Sequence, residues 1–426
     1  MILSKKGAAP IRVVLPAITL SCWALIAQAQ DTPVNASLNA PVKAASLKDV
    51  YDTAWQRQPE ARALQSRREA AQAQARAANL LSPEPPSVEI SQRSDRVTGN
   101  SGAREAEVGI AIPLWLPGQR TASAELAQAG ISFVERKLLA SQLRLASQVR
   151  EAWWGWQRAR VDAELAREQM LNARRLAADV ARRTQAGDLA RADQHQAEGA
   201  AAAAEALAAQ AQAASAAALS HLLALTGGIA PQDSVGSGGS EPTPGPHPAV
   251  SHPLLAELED RIAIAERTAS LISTQKRANP ELTVATTRDR GAFGERYGQT
   301  VLVGIRLPLG AGPRYDARIA TAQAEAIEVQ SQLTLEKDRI QADQRAAASR
   351  VEAARIQLDA AQRRAQLAKE SRSFFDKSFR LGETDLPTRL RIEAEAVEAE
   401  RQEARSRIDL ATAVSAWRQS LGLLPQ

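Results

Sequence analysis

Four histidines, one cysteine and the run Trp153-Trp154-Gly155-Trp156 carry the side chains from which this sequence could build a site. His195 and His221 lie in Ala-rich helical stretches, and His247 and His252 flank a Pro/Gly/Ser segment. That scatter fits no metal-ligand spacing, so each histidine is read as structural or solvent-facing. Cys22 sits in the leader described below, and its removal takes disulfides, thiolate metal sites and cysteine nucleophiles away together. The tryptophans could form a ligand cage. Helical spacing instead puts Trp153 and Trp156 near one face, which points to helix packing. Asp and Glu are numerous but spaced as on solvated helix faces. No catalytic constellation emerges, and no cofactor or resident metal is expected.

The elements that would hold any site begin after an address. Lys5, Lys6 and Arg12 precede the apolar run Val13–Ile26 and the small-x-small site Ala27-Gln28-Ala29, so residues 1–29 are expected to be a signal peptide. A variant reading makes Cys22 a lipid-modified N-terminus. The formal net charge of +5 over 426 residues falls to +2 without the leader's three cations. Charges of both signs are interleaved and aromatics are 4%, so no basic, aromatic-lined stripe for nucleic acid exists. Apolar residues make up 44%, with Ala foremost, and Glu, Gln and Arg are abundant, a composition for long helices. No later run of ~18 apolar residues follows, so no spanning helix is expected. The address leaves periplasm, outer membrane or secretion.

The chain repeats itself. Ile112-Pro113-Leu114 returns as Leu307-Pro308-Leu309, Gly187 as Gly382 and Gly227 as Gly422, all offset by 195 residues. Gln58-Pro59 returns as His252-Pro253, offset by 194. An N-terminal linker (30–45) precedes the first repeat, 46–228. A Gly/Pro/Ser linker, 229–246, is read as flexible with no core to bury. The second repeat is 247–426.

Each repeat has one order of elements. Helices come first, at 46–58 and 60–82, then 252–279, with Pro59 breaking the first copy. Alternating segments follow as β-hairpins, 87–113 and 281–308, with turn residues at 98–102 and 291–294. Long helical hairpins come last, 117–226 and 312–421. Their first arms carry an unbroken heptad stripe: Ile131, Leu138, Leu145, Ala152, Ala159, Ala166, Ala173 and Val180, with Val149, Trp156, Ala163, Met170 and Ala177 beside it. The second copy reads Leu333, Ile340, Ala347, Ala354, Ala361, Ala368 and Phe375, with Val351, Leu358 and Ala365. Gly187 and Gly382 are read as helix stops.

Strands of this length cross a bilayer when tilted. Val88, Ile90, Val108, Ile110, Ile112, Val301, Val303, Ile305 and Leu307 are the expected lipid-facing residues. Glu89, Glu107 and Arg306 are the expected water-facing ones, and Trp115, Phe293 and Tyr297 a thin aromatic girdle. Four strands cannot close, because open edges in lipid leave backbone groups unpaired. Two, three or four copies would give about 8, 12 or 16 strands. Soluble hairpins would need no such assembly.

Duplicated halves of helix, strand, strand, long helix, turn and helix resemble the TolC-like outer-membrane efflux proteins, over nearly the whole mature chain. The two Ile/Leu-Pro-Leu segments and the turns from Gly187 to Asp193 and from Gly382 to Thr388 carry the likeness. Trp115-Leu116-Pro117-Gly118-Gln119-Arg120 is similar to a segment of outer-membrane components of heavy-metal efflux systems of the resistance-nodulation-division type. The resemblance implies a mainly α fold with a β-barrel part. It implies a homotrimer whose twelve strands form one barrel among outer-membrane lipids, continued by a helical tube across the periplasm. The implied partners are a periplasmic adaptor and an inner-membrane pump of the resistance-nodulation-division type, and the implied cargo includes heavy-metal cations. The adaptor would meet the tips Gly187, Asp188, Leu189, Gly382, Glu383 and Thr384. Acidic rings just beyond them would constrict the pore, with Asp193, Asp385, Thr388 and Arg391 at those places. The second copy departs from the acidic pattern, and Arg389 and Arg391 add positive charge. A periplasmic or secreted coiled-coil scaffold would explain the heptads but not the paired strands.

Overall fold

A computed structural model describes residues 46–228, 240–245, 251–310 and 312–426. Helix α1 (Leu47–Arg57) opens on a reciprocal cap: Asp49 N donates to Ser46 Oγ at 3.2 Å, and Ser46 N to Asp49 Oδ2 at 2.9 Å. Gln58 is extended, and Pro59 then starts α2 (Pro59–Ala78) at the position where its missing N–H costs nothing. Pro253 starts α5 (Pro253–Thr274) in the same way. The first repeat continues through β1 (Ser87–Ser94), β2 (Arg104–Pro113), α3 (Gln119–Ala186) and α4 (Arg191–Thr226). The second runs through α5, β3 (Glu281–Arg290), β4 (Gly298–Arg306), α6 (Gly312–Arg380) and α7 (Leu386–Ser420). The element order matches the sequence reading. The helices preceding each hairpin end earlier, at Ala78 and Thr274.

At 68 and 69 residues, α3 and α6 are each ~100 Å long. Each folds back on its partner, α3 on α4 and α6 on α7, while α3 also meets α2, α5 and α7, and α5 meets α6. No residue of the heptad stripes is exposed, and Leu145, Val149, Trp156, Val180, Ile340, Ala347, Val351, Ala354, Ala361 and Ala365 are fully buried. Small Ala at these positions lets the helix axes come close. No helix among the described residues is long and apolar enough to cross a membrane.

Two cores hold the helices. The larger packs α1 (Leu47, Val50, Tyr51, Ala54) against Leu145, Val149 and all three tryptophans of α3, with Leu222 and Ile408. Trp153 and Trp156 meet edge to face, centroids 5.6 Å apart, and Trp154 Nε1 donates to Ser415 Oγ at 2.8 Å. The tryptophans are therefore packing residues, as their helical spacing implied. Burial also raises the Tyr51 hydroxyl pKa to about 12. The smaller core gathers Leu176, Val180, Ala197, Phe379 and Leu386 near the helical turns.

The strands form one antiparallel sheet in the order β1-β2-β3-β4. The repeats are thus stitched by a ladder between β2 and β3, from Arg104↔Arg290 to Pro113↔Glu281. Beneath it, Asn279 Nδ2 donates to Leu114 O at 2.9 Å and to Gln119 Oε1 at 2.8 Å. Leu114 N donates to Pro280 O at 2.7 Å.

Candidate functional site

Strand alternation sorts this sheet into two surfaces. Cross-strand rows run Val88–Ile110–Val284–Val303 and Ile90–Val108–Thr286–Val301, with Ile112–Leu282–Ile305 below. All the expected lipid-facing strand residues share this face, joined by Leu282 and Val284; Leu307 lies one residue past β4. The opposite face carries Glu89–Gly109–Ala285–Leu302, Ser91–Glu107–Thr287–Thr300 and Arg93–Glu105–Asp289. Glu89, Glu107 and Arg306 sit there as expected. Arg306 pairs with Glu281 at 3.2 Å, and Arg93 with Glu105 at 3.2 Å. Leu302 is the one large apolar side chain on this polar face. Pro113, the last residue of β2, lies next to Trp115, whose Nε1 donates to Leu80 O at 3.1 Å. Phe293 and Tyr297 lie at the other end of the sheet.

The sheet is not closed. β1 and β4 are its outer edges, and Ile90 is 77% and Val301 71% exposed. Leu309, after the second Leu-Pro-Leu turn, is 89% exposed, whereas Leu114 in the first copy is tied to Asn279 and Pro280.

Roughly 100 Å of helix away, both hairpins turn by the same device. Gly187 and Gly382 take φ of +86° and +80°, a region that side chains resist. Asp188 N donates to Arg183 O at 2.9 Å and Glu383 N to Ser378 O at 3.0 Å, the six-to-one bond that closes a helix C-terminus. Asp188 and Glu383 are exposed. Leu189 packs on the smaller core, and Thr384 Oγ1 lies 2.6 Å from Ser378 Oγ.

The acidic candidates beyond the tips cap helices. Asp193 Oδ2 accepts from Ala190 N at 3.2 Å, and Asp385 Oδ1 accepts from Thr388 N at 3.3 Å. Arg391 Nη1 donates to Glu395 Oε1 at 2.6 Å.

Sequence reasoning missed two charged assemblies. At the tips, Phe379 is buried between the guanidinium groups of Arg183 (5.1 Å) and Arg389 (4.7 Å), locking α3, α6 and α7 together. Arg389 also pairs with Asp376. Arg372 binds Glu400 at 2.9 Å and Glu393 at 3.7 Å, and burial raises the Glu393 carboxyl pKa. The signal was present in Phe379 one turn beyond stripe residue Phe375. Near the larger core, Glu241 of the inter-repeat linker is buried with Arg150 (2.6 Å) and Arg418 (3.1 Å). Arg150 Nη1 also donates to Leu423 O at 3.0 Å, and Arg418 Nη1 to Pro242 O at 3.1 Å. The linker therefore does bury a residue, against the expectation. A lone Glu in a Gly/Pro/Ser run gives no periodic signal, so its two partners could not be foreseen.

The histidines carry no shared site. His195 and His221 are exposed on α4. His252 caps α5, and burial lowers its pKa. Cys22, the signal peptide and His247 lie outside the described residues.

The site is an open sheet with one exposed apolar face, joined to ~100 Å helical hairpins. Comparison with known proteins finds the same architecture elsewhere. Residues 50–228 match the family described as "Outer membrane efflux protein". No curated protein matches the sequence. Among solved structures, the outer membrane protein VceC of Vibrio cholerae is 17% identical, with 88% of this chain and 96% of that chain covered at a TM-score of 0.70. The CmeC outer membrane channel of Campylobacter jejuni is 14% identical, covering 88% and 85%, TM-score 0.70. The open-state MtrE outer membrane channel of Neisseria gonorrhoeae is 16% identical, covering 88% and 89%, TM-score 0.68. The first repeat is thus similar in sequence to the outer membrane efflux family, and both repeats share the fold of these solved outer membrane channels.

Proposed function

We propose that three copies of this chain close one twelve-stranded barrel and form the exit duct of a tripartite efflux system. A periplasmic adaptor and an inner-membrane pump of the resistance-nodulation-division type complete it. The observation that carries the reading is the pair of open strand edges on a sheet whose outer face is apolar and exposed. The repeat supplies the missing register. β2 maps onto β4 by adding 195, and β3 onto β1 by subtracting 194, the offset between Pro59 and Pro253. The pairs Ile110↔Val284 and Ile112↔Leu282 then become Ile305↔Ile90 and Leu307↔Val88 between neighbouring copies. Every residue so paired keeps its apolar face outward, which an offset of 195 for β1 would not allow.

The tips Gly187-Asp188-Leu189 and Gly382-Glu383-Thr384 dock the adaptor. Asp193, Asp385, Thr388 and Arg391 line the constriction beside them. A cationic cargo, heavy-metal ions included, is supported by the inner face of the sheet, where Glu89, Glu105, Glu107 and Asp289 outnumber Arg93 and Arg306. Transit requires weak, transient contacts rather than a tight metal site.

The test is a crosslink. Cys22 is the sequence's single cysteine, so paired cysteines report cleanly. Ile90→Cys with Ile305→Cys should form disulfides between copies, since opposed strand residues fall within disulfide range. Non-reducing gels should show covalent species up to trimer, and light scattering in detergent a trimer mass. A monodisperse monomer that conducts would overturn the assembly.

A further inference from the structure

The loop end of the sheet separates its charges by face. Arg104, Arg288 and Arg290 all project on the apolar side, while Glu105, Glu107 and Asp289 project on the other. The sheet's two ion pairs among the described residues, Arg93–Glu105 and Arg306–Glu281, both lie on the polar face. The three outer arginines therefore stand without a carboxylate. Arg104 and Arg290 are directly opposite each other, a like-charge cross-strand pair that destabilises a sheet left to itself. Arg288 is opposite Ala106 and Gln299.

Two of these side chains, Arg288 and Arg290, are held in place. The Arg288 guanidinium stacks on Tyr297 at 4.7 Å, and that of Arg290 on Tyr297 at 5.0 Å and Phe293 at 5.5 Å. Arg290 Nε donates to Gly102 O at 3.0 Å. The two loops are themselves locked, because Phe293 N donates to Ser101 O at 3.0 Å and a Cβ on Gly102 would come within 2.4 Å of Phe293 N. Contact with the rings uses the faces of the guanidinium groups, so N–H groups at their edges, other than Arg290 Nε, can reach a ligand. Height along the strand completes the picture. Arg288 is two residues beyond Thr286, ~7 Å past the last row of the apolar belt. Aromatic rings at that height are the usual residents of a membrane boundary.

We propose that Arg104, Arg288 and Arg290 form a phosphate-binding collar that grips the phosphorylated glycolipid of the outer leaflet, once per copy at the β2–β3 seam. The guanidinium edges match phosphate oxygens two at a time, and the lipid's phosphates relieve the Arg104–Arg290 repulsion. The matching seam between copies keeps only one of the three cations: Arg290 maps to Arg96, but Arg104 maps to Gln299 and Arg288 to Ser94. The collar therefore fastens the lipid to three places on the barrel rather than evenly around it. It rests on the reading of the sheet as a lipid-facing barrel wall.

Native mass spectrometry of the full-length protein in detergent, loaded with bisphosphorylated lipid A, tests this. Wild type should retain lipid A at least tenfold better than fully dephosphorylated lipid A. Arg104→Gln with Arg288→Gln should lose that preference at least tenfold, while Arg104→Lys with Arg288→Lys keeps a part of it. Arg93→Gln, on the polar face, should leave retention unchanged. Arg290 is spared because it braces Gly102. Should the Gln variant fail to assemble, the phosphorylated-to-dephosphorylated ratio on wild type decides alone. A ratio near one, or full retention by the Gln variant, overturns the collar. Complete displacement of lipid A by inorganic phosphate overturns the lipid as its occupant. Failure of wild type to insert into vesicles or to form oligomers would instead overturn the barrel itself.

Discussion

Helices α3 and α6 hold the same place in the two repeats, share one heptad register and differ in length by one residue, yet they live in different surroundings. α3 is wrapped by α2, α4, α5 and α7, and only Leu139 and Leu171 among its large apolar residues are exposed. α6 packs along α5 and α7, touches α3 only near the tip through Phe379, and exposes Ile327, Leu335, Ile356, Leu367 and Phe374. Duplication preserved the seam that each hairpin makes with itself. It did not fill the outer flank of the second copy, where the outer edge of β4 is also open, as is that of β1 in the first. The unfilled flank and the unfilled edge are what a neighbouring copy would cover.

Charge placed on each flank would break this comparison most forcefully. Leu145, 4% exposed in the larger core, cannot accept a carboxylate without several kcal/mol of loss. Leu145→Asp should abolish folding and membrane insertion. Leu335, 70% exposed on α6, should accept Asp within the single chain but weaken association of copies. Circular dichroism and detergent-phase mass should therefore separate them: no folded species for the first, folded protein shifted toward monomer for the second. A normal trimer with Leu335→Asp would show that the α6 flank faces water.

The same contrast is drawn by arginine. Arg150 on α3 is buried against Glu241, and its counterpart Arg345 on α6 is exposed. Glu241→Ala would strand Arg150 and Arg418 as two buried cations facing no carboxylate. A loss of ~3–5 kcal/mol is expected, seen as a lower denaturant midpoint. Arg345→Ala should change stability by less than ~0.5 kcal/mol. Glu241→Gln, which keeps the shape and part of the hydrogen bonding, should fall between.

These pairs also show what the sequence displayed. The seam was legible because Leu145, Ile340 and their heptad neighbours repeat every seven residues in both copies, and periodicity is a local property. The strand faces were legible for the same reason, at period two. The sheet order was not, since nothing local says that β2 pairs with β3 across the linker. Nor was the clasp, where Glu241 is separated from Arg150 by 91 residues and from Arg418 by 177. The tip glycines were readable from one-residue chemistry. The Arg183–Phe379–Arg389 sandwich needed three helices in place at once.

A smaller difference lies at Glu393 and its counterpart Glu198, which is exposed on α4. Burial raises the Glu393 pKa above its ordinary value of 4.5, against the pull of Arg372 and Arg389. The folded tip thus holds this proton more tightly than the unfolded chain does. The stabilisation is full below the ordinary carboxylate value and is lost as pH rises through the higher folded value. Glu393→Gln cannot ionise, so it should gain on wild type as pH rises from about 4 to about 7. Melting temperatures compared across that range would show it. A difference between Glu393→Gln and wild type that stays flat across the range would overturn this reading.

The finest distinction is between the two glycines that end the arms. Both have positive φ, and around both the space a Cβ would enter is empty within 4 Å. Ala at either position should therefore cost only the backbone term, ~1–2 kcal/mol, with the barrel untouched. Trp adds bulk that meets nothing in the chain and so falls on whatever docks there. Gly187→Trp and Gly382→Trp should each leave trimer formation and membrane insertion normal while abolishing efflux-dependent resistance. The turns are not equivalent, because Leu189 is anchored in the tip core and Thr384 is held by Ser378. In-cell crosslinking to the adaptor, run on each single variant, measures how docking divides between them. Loss in both would make the six tip residues one repeated surface. Loss in one alone would assign the adaptor to that hairpin, and full resistance with unchanged crosslinking in the double variant would reduce both glycines to helix stops.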